Sequence, residues 1–304
     1  MKRRDFLKGC AGGALALGLG SPFGNIGAAL AQEAPFPDLV AARGENLPRM
    51  FDAALTALGG LSRFIQKGQT VLVKPNMGWA VTPDKAANTN PELLSHIVKN
   101  ALNVGASRVY VFDNTCDNWA SSYRDSGLEA AAKDAGATVA PAHDSGSFQE
   151  VVNPGALYLK EVELHELYLE ADVIINVPVL KHHGGAKMTA AMKNLMGVVW
   201  SRGSLHWSGL DESVPELLLY KKPTLNVVDA MRVMLTGGPR GRGDSQYLAC
   251  RTLIASADAV ACDSACAAIM ASAGIAQPGY VFNASQRGLG VSDLATLNVQ
   301  RLTV

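Results

Sequence analysis

Residues 172–200 read DVIINVPVLKHHGGAKMTAAMKNLMGVVW. The opening DVIINVPV is a Val- and Ile-rich run of strand length, and VIINVPVLK reads as a buried strand ending at Lys181. Met188 to Met196 reads as a helix closed by Gly197, with His182, His183, Gly184 and Gly185 forming the turn between the two.

Similar runs recur on either side. TVLVK (70–74), RVYVFD (108–113), TLNVVDA (224–230) and RTLIAS (251–256) are the other strand candidates. Longer amphipathic stretches separate them. NPELLSHIVKNALNVG (90–105) opens with Asn90 as N-cap and Pro91 at the first helical position, and ends on glycine. YRDSGLEAAAKDAG (123–136) and ADAVACDSACAAIMASAG (257–274) also read as helices ending in glycine. This alternation predicts an α/β fold with a mainly parallel central sheet, helices on both faces and long polar loops after the strands.

Those loops, KPNMGW, DNTCDNW, KHHGGAK and DAMRVMLTGGPRGRGD, hold most of the candidate chemistry. In open α/β sheets ligands bind outside the carboxyl ends of the strands, so the loops are expected to converge on one cleft. Lys74, Lys181 and Lys193 are candidate anion clamps or proton-transfer groups, and His206 in WSRGSLHWSG is a candidate acid or base. Asn76, Asn194, Asp229, Arg240 and Arg242 are the candidate substrate-binding residues.

The KHHGGAK turn carries two further readings: free N–H groups and lysines holding a carboxylate or phosphate, or a histidine on a metal. Adjacent side chains point in different directions, so one ligand of the pair is expected rather than two. His183, His206 and Asp113 form the candidate transition-metal set, while a pair of plain surface histidines accounts for the turn equally well. His96, His143 and His165 are read as structural. In a purely structural reading of the motif, Asn76 and Asn194 cap turns and Lys193 pairs with Asp229.

The chain has 304 residues, 48% hydrophobic and 18% charged, an ordinary globular composition. Its first 31 residues are set apart from the fold. MKRRDFLKG, with Arg3 and Arg4 followed by Phe6 and Leu7, resembles the twin-arginine export signal, and Ala29, Leu30 and Ala31 form a small-x-small cleavage site. The glycines, Pro22 and Asn25 leave no apolar run of the ~20 residues that a spanning helix requires. The expectation is delivery to the periplasm by the twin-arginine machinery, without stable membrane insertion after cleavage.

Residues 32–304 would then form a single α/β domain with 23 basic and 26 acidic residues. That balance gives no electrostatic case for nucleic acid. Of its four cysteines, Cys262 and Cys266 lie four apart on one helical pattern and read as core residues, and no CxxCxxC cluster motif is present.

VLVKPNMG, INVPVLKHHGGAKMTAAMKNLMGVV, LNVVDAMRVMLTGGPRGRG, LIASADAVACDSACAAIM and GLGVSDL occur in an order and spacing that resemble domain-of-unknown-function family 362. The positions that match are Lys74, Pro75, Asn76, Lys181, His183, Lys193, Asn194, Gly197, Asp229, Gly238, Pro239 and Asp263. The resemblance implies an α/β domain, in a family associated with iron–sulfur clusters because some members carry a ferredoxin-like segment. This sequence has no such segment, so a cluster is not carried over. The expected function is an exported enzyme or redox accessory protein whose Lys/His-lined cleft takes an anionic substrate. A non-catalytic periplasmic protein that binds a small anion is the alternative.

Overall fold

The computed structural model describes Phe36–Val304. Arg3, Arg4 and the cleavage site at Ala31 lie outside the described residues.

In chain order the strands and helices are β1 (Leu39–Arg43), α1 (Leu47–Ala57), β2 (Thr70–Pro75), α2 (Pro91–Asn103) and β3 (Arg108–Val111). There follow α3 (Trp119–Asp125), α4 (Leu128–Asp134), β4 (Thr138–Val139), β5 (Phe148–Val152), β6 (Glu161–His165) and α5 (Glu166–Glu170). The central stretch holds β7 (Val173–Val177), β8 (Val179–His183), β9 (Lys187–Thr189) and α6 (Ala191–Asn194). After it come α7 (Gly203–Trp207), α8 (Leu210–Tyr220), β10 (Leu225–Met234), β11 (Tyr247–Leu248), β12 (Thr252–Ser256), α9 (Ala259–Ser272), α10 (Gly279–Gln286) and β13 (Val299–Thr303).

The main sheet runs β13-β1-β12-β10-β7-β2-β3-β4. From β10 to β4 every pairing is parallel, and β12 joins β10 and β1 antiparallel at the other end. Strand alternation splits the core across the two faces of the sheet. Val71, Val73, Val173 and Ile175 pack with Met50, Phe51, Ile97 and Val98 of α1 and α2, while Leu72, Ile174 and Val228 pack with Leu217, Val260 and Met270 of α8 and α9. All five residues of β7 are buried, and each fully buried Val or Ile contributes roughly 1.5–3 kcal/mol.

Asn90 caps α2 as expected, its Oδ1 accepting from the N–H of Glu92 and Leu93. Cys262 and Cys266 are both buried on α9, and both are free thiols. Among the described residues no helix is long and apolar enough to cross a membrane.

Two local expectations are corrected. The 172–183 segment is two strands: Pro178 separates β7 from β8, which parts from β7 to pair with β10 and β9. His182 and His183 lie in β8, opposite Met188 and Lys187, so the expected strand–turn–helix is a hairpin. The helical stretch begins only at Ala191, and Leu195–Val198 tighten into a 3₁₀ turn. Along 123–136 the predicted single helix is two, broken at Gly127 with φ 73°.

Candidate functional site

The chain runs from β2 out to β3 and β4, then returns to place β7 on the other side of β2. The carboxyl ends of β2 and β7 are therefore a topological switch point, where a crevice opens. A cavity of about 410 Å³ lies there, lined by the loops after β2 and β3, the β8–β9 hairpin and the 193–206 segment. Asn76, Asp113, Lys181, His183, Lys193, Asn194 and His206, all expected at the site, line it together. Trp79, Cys116, Thr189 and Arg202 join them.

Lys74 lies beneath the lining, fully buried, with Nζ 2.9 Å from Asp113 Oδ1 and donating to the Pro75 carbonyl at 2.7 Å. Desolvation pulls its pKa below the ordinary lysine value, against the pull of Asp113. Asp113 Oδ2 accepts from the Met77 N–H at 2.6 Å. Both oxygens of the one carboxylate in the lining are thus engaged, and Lys74 neutralises it. Lys74 acts as the counter-ion of Asp113, not as the expected base or anion clamp.

A chain of amides runs from the core of the sheet up to the crevice. Asn226 donates to the Ser256 carbonyl and accepts from Asn176 Nδ2 at 2.9 Å. Asn176 Oδ1 accepts from Asn194 Nδ2 at 2.8 Å, and Asn194 Oδ1 from Asn76 Nδ2 at 3.1 Å. Asn76 Oδ1 then accepts from Lys181 Nζ at 3.1 Å. A main-chain carbonyl can only accept, so the orientation of Asn226 is fixed and sets every later amide in turn. Asn76 and Asn194 are links in this relay, not turn caps.

Lys181 Nζ also donates to the Ala87 carbonyl and sits 5.8 Å from the Trp79 ring centroid. Burial pulls its pKa down to about 7. Lys193 is carried by α6, whose first N–H groups, at Ala191 and Met192, donate to the buried Asp263 carboxylate. Lys193 is 8% exposed, and among the described residues no hydrogen bond or ion pair engages its Nζ. Burial brings its pKa to about 8. Arg202 completes the cations, donating from Nη1 to Cys116 Sγ at 3.0 Å and from Nη2 to the Thr115 carbonyl.

His183 Nδ1 accepts the N–H of Gly185 at 3.2 Å and of Ala186 at 3.1 Å. The ring proton is therefore on Nε2. Desolvation first, then Lys193 and Lys181, hold the ring pKa near 3, so it is a neutral donor. This arrangement does not favour the expected metal set of His183, His206 and Asp113. A ligating histidine needs a free lone pair on one nitrogen and donates from the other, the reverse of this arrangement. Asp113 is already neutralised by Lys74, and no three His, Cys, Asp or Glu side chains among the described residues are grouped to hold a metal.

Three expected substrate-binding residues stand outside the cavity lining. Asp229 is buried and accepts from the N–H of Asn90 and Met231, so it anchors the start of α2 and pairs with no lysine. Arg240 pairs with Asp117 at 2.9 Å, and only its neighbour Pro239 reaches the lining. The Arg242 N–H donates to Ser245 Oγ within its own loop. His96 bonds Asp52, His143 stacks on Trp119 and His165 caps α5, all three away from the cavity.

Fold and site together define an α/β protein with a cation-lined cavity at a sheet switch point. The chain belongs to the family described as domain of unknown function DUF362, whose profile matches residues 71–268. A curated relative, the thylakoid-associated protein sll1697 of Synechocystis sp., is 27% identical over 226 residues, covering 69% of this chain and 65% of that protein's length. The chain thus spans just under two thirds of that relative.

Among solved structures, the lactate racemase apoprotein from Thermoanaerobacterium thermosaccharolyticum aligns with a TM-score of 0.43 at 13% identity, over 64% of this chain and 50% of that one. A Thermotoga maritima protein aligns at 0.48 and 10% identity, over 74% and 59%.

Proposed function

We propose that the cavity binds a small organic anion and that Lys181 exchanges a proton with it, making the protein an enzyme. Lys193 carries the reading. Its side chain is largely buried while its ammonium opens on the cavity without a protein partner, and an anionic ligand is the partner this cavity has room for.

Lys181 supports the proton step. When neutral, its amine has two hydrogens, and two obligate acceptors, Asn76 Oδ1 and the Ala87 carbonyl, take both. Its lone pair is left for the cavity, and a pKa of about 7 suits a base at neutral pH. No metal at His183, His206 and Asp113 enters this reading. The paired Arg3 and Arg4 support delivery in the folded state to the periplasm by the twin-arginine machinery, after which the chain would begin at Gln32.

The test is calorimetric titration with small carboxylates and phosphate, on the native chain and on Lys193→Met. The native chain is expected to bind, and the variant to lose about tenfold or more in affinity. Absence of binding by every anion, or equal binding by the variant, overturns the reading. Proton exchange is read by NMR in D₂O as loss of the ligand's C–H signal. Exchange that stops in Lys181→Met while binding persists supports catalysis. Binding without exchange by the native chain identifies a binding protein instead.

A further inference from the structure

Given the anion-binding reading above, on which this rests, we infer that the ligand is a small dicarboxylate. Lys181, Lys193 and Arg202 reach the lining from β8, α6 and the loop before α7. Asp113 is bound to Lys74 and the Met77 N–H, and its charge supports that of Lys181 but not that of Lys193. With Lys181 neutral as the base, one carboxylate would satisfy only one of the two remaining cations, Lys193 and Arg202, and leave the other without a counter-charge. Two carboxylates on a short carbon chain supply both charges, and Trp79, Met196 and Pro239 give the carbons an apolar wall. The volume, about 410 Å³, is at the small end of ligand cavities.

The backbone offers a phosphate little. Phosphate cradles use free N–H groups at a helix N-terminus. Here the first N–H groups of α6 are taken by Asp263, the Asn118 cap of α3 accepts the Ser121 N–H, and the uncapped helix that starts at the lining, α7 with Gly203, is only five residues long. Two of the five N–H donors of Arg202 already hold Cys116 Sγ and the Thr115 carbonyl, which leaves three to meet one carboxylate.

The experiment is calorimetry at pH 8 on the full chain, at fixed ionic strength, with malonate and succinate against acetate, propionate and inorganic phosphate. A dicarboxylate is expected to bind at least about tenfold tighter than the matching monocarboxylate. It should also draw up to about half a proton from the buffer onto Lys193, seen as heat that varies with the buffer's ionisation enthalpy. In Lys193→Met the preference for two charges should fall below about threefold.

Equal affinity for one and two carboxylates, or tighter binding of phosphate than of either dicarboxylate, overturns the dicarboxylate and leaves the anion reading intact. Binding of none of the five anions overturns both.

Discussion

Gly197 has no side chain for a reason of space. A Cβ there would lie 1.8 Å from Asp113 Oδ1 and 2.8 Å from Lys74 Nζ. The backbone thus lies against the buried ion pair, and the Gly197 carbonyl accepts the Asn114 N–H at 2.9 Å. Replacing glycine by alanine in a helical turn ordinarily stabilises by roughly 0.5–1 kcal/mol. At this position the sign should reverse, because the methyl group can fit only by parting Lys74 from Asp113. Breaking a buried pair costs about 3–5 kcal/mol, so Gly197→Ala is expected to lower unfolding stability by about 3 kcal/mol in urea titrations. A neutral or stabilised variant would mean that Asp113 does not rest where the geometry puts it. The sequence marks Gly197 only as the end of a helix, since a steric demand made by Lys74 and Asp113, more than eighty residues upstream, leaves no local trace.

At the scale of elements, what could be read from the sequence was whatever local periodicity and turn chemistry decide. The strands and α2 carry their own signals, and Asn90, Pro91 and Gly105 mark α2 without help from the rest of the chain. The loops after β2, β3 and β8 did reach one cleft, because a parallel sheet puts its carboxyl ends on one edge.

The 181–196 segment was misread as turn and helix because Met188, Met192 and Met196 fall at helical spacing. Tertiary pairing won: the backbone of β8 finds β10 and β9, and only then does α6 begin, with Asp263 of α9 accepting its first N–H groups. The amide relay was missed, although it has a sequence signal. Asn176 in VIINV and Asn226 in LNVV are polar residues inside runs otherwise suited to a core, and a buried amide must find partners. The metal expectation shows the opposite limit. Residue types can suggest ligands, but only the donors around His183 reveal which nitrogen carries the proton.

For the molecule as a whole, the cation-lined cavity predicts an unusual dependence of stability on pH. Lys181 titrates near 7 and Lys193 near 8 in the folded chain, both from an ordinary value of 10.5, and desolvation is the larger cause in each. Between those values and 10.5 the unfolded chain holds protons that the folded chain has released, so stability rises with pH. Lys74, lowered as well, acts in the same direction. The window closes from above, because the buried thiols of Cys262 and Cys266 and the phenol of Tyr220 are pushed upward, which favours the unfolded chain once pH passes about 9. The free protein should therefore gain stability from about pH 7 to pH 9, at up to about 1.4 kcal/mol per pH unit for each lysine. Bound anion restores the charge on Lys193, so at saturating ligand that lysine's share of the rise should disappear, and stabilisation by the ligand should be greatest near pH 7. Chemical denaturation at four or five pH values, with and without ligand, reads this directly. A free protein whose stability falls between pH 7 and 9 would show that the lysines keep their charge in the folded chain, and that something other than an arriving anion already balances them.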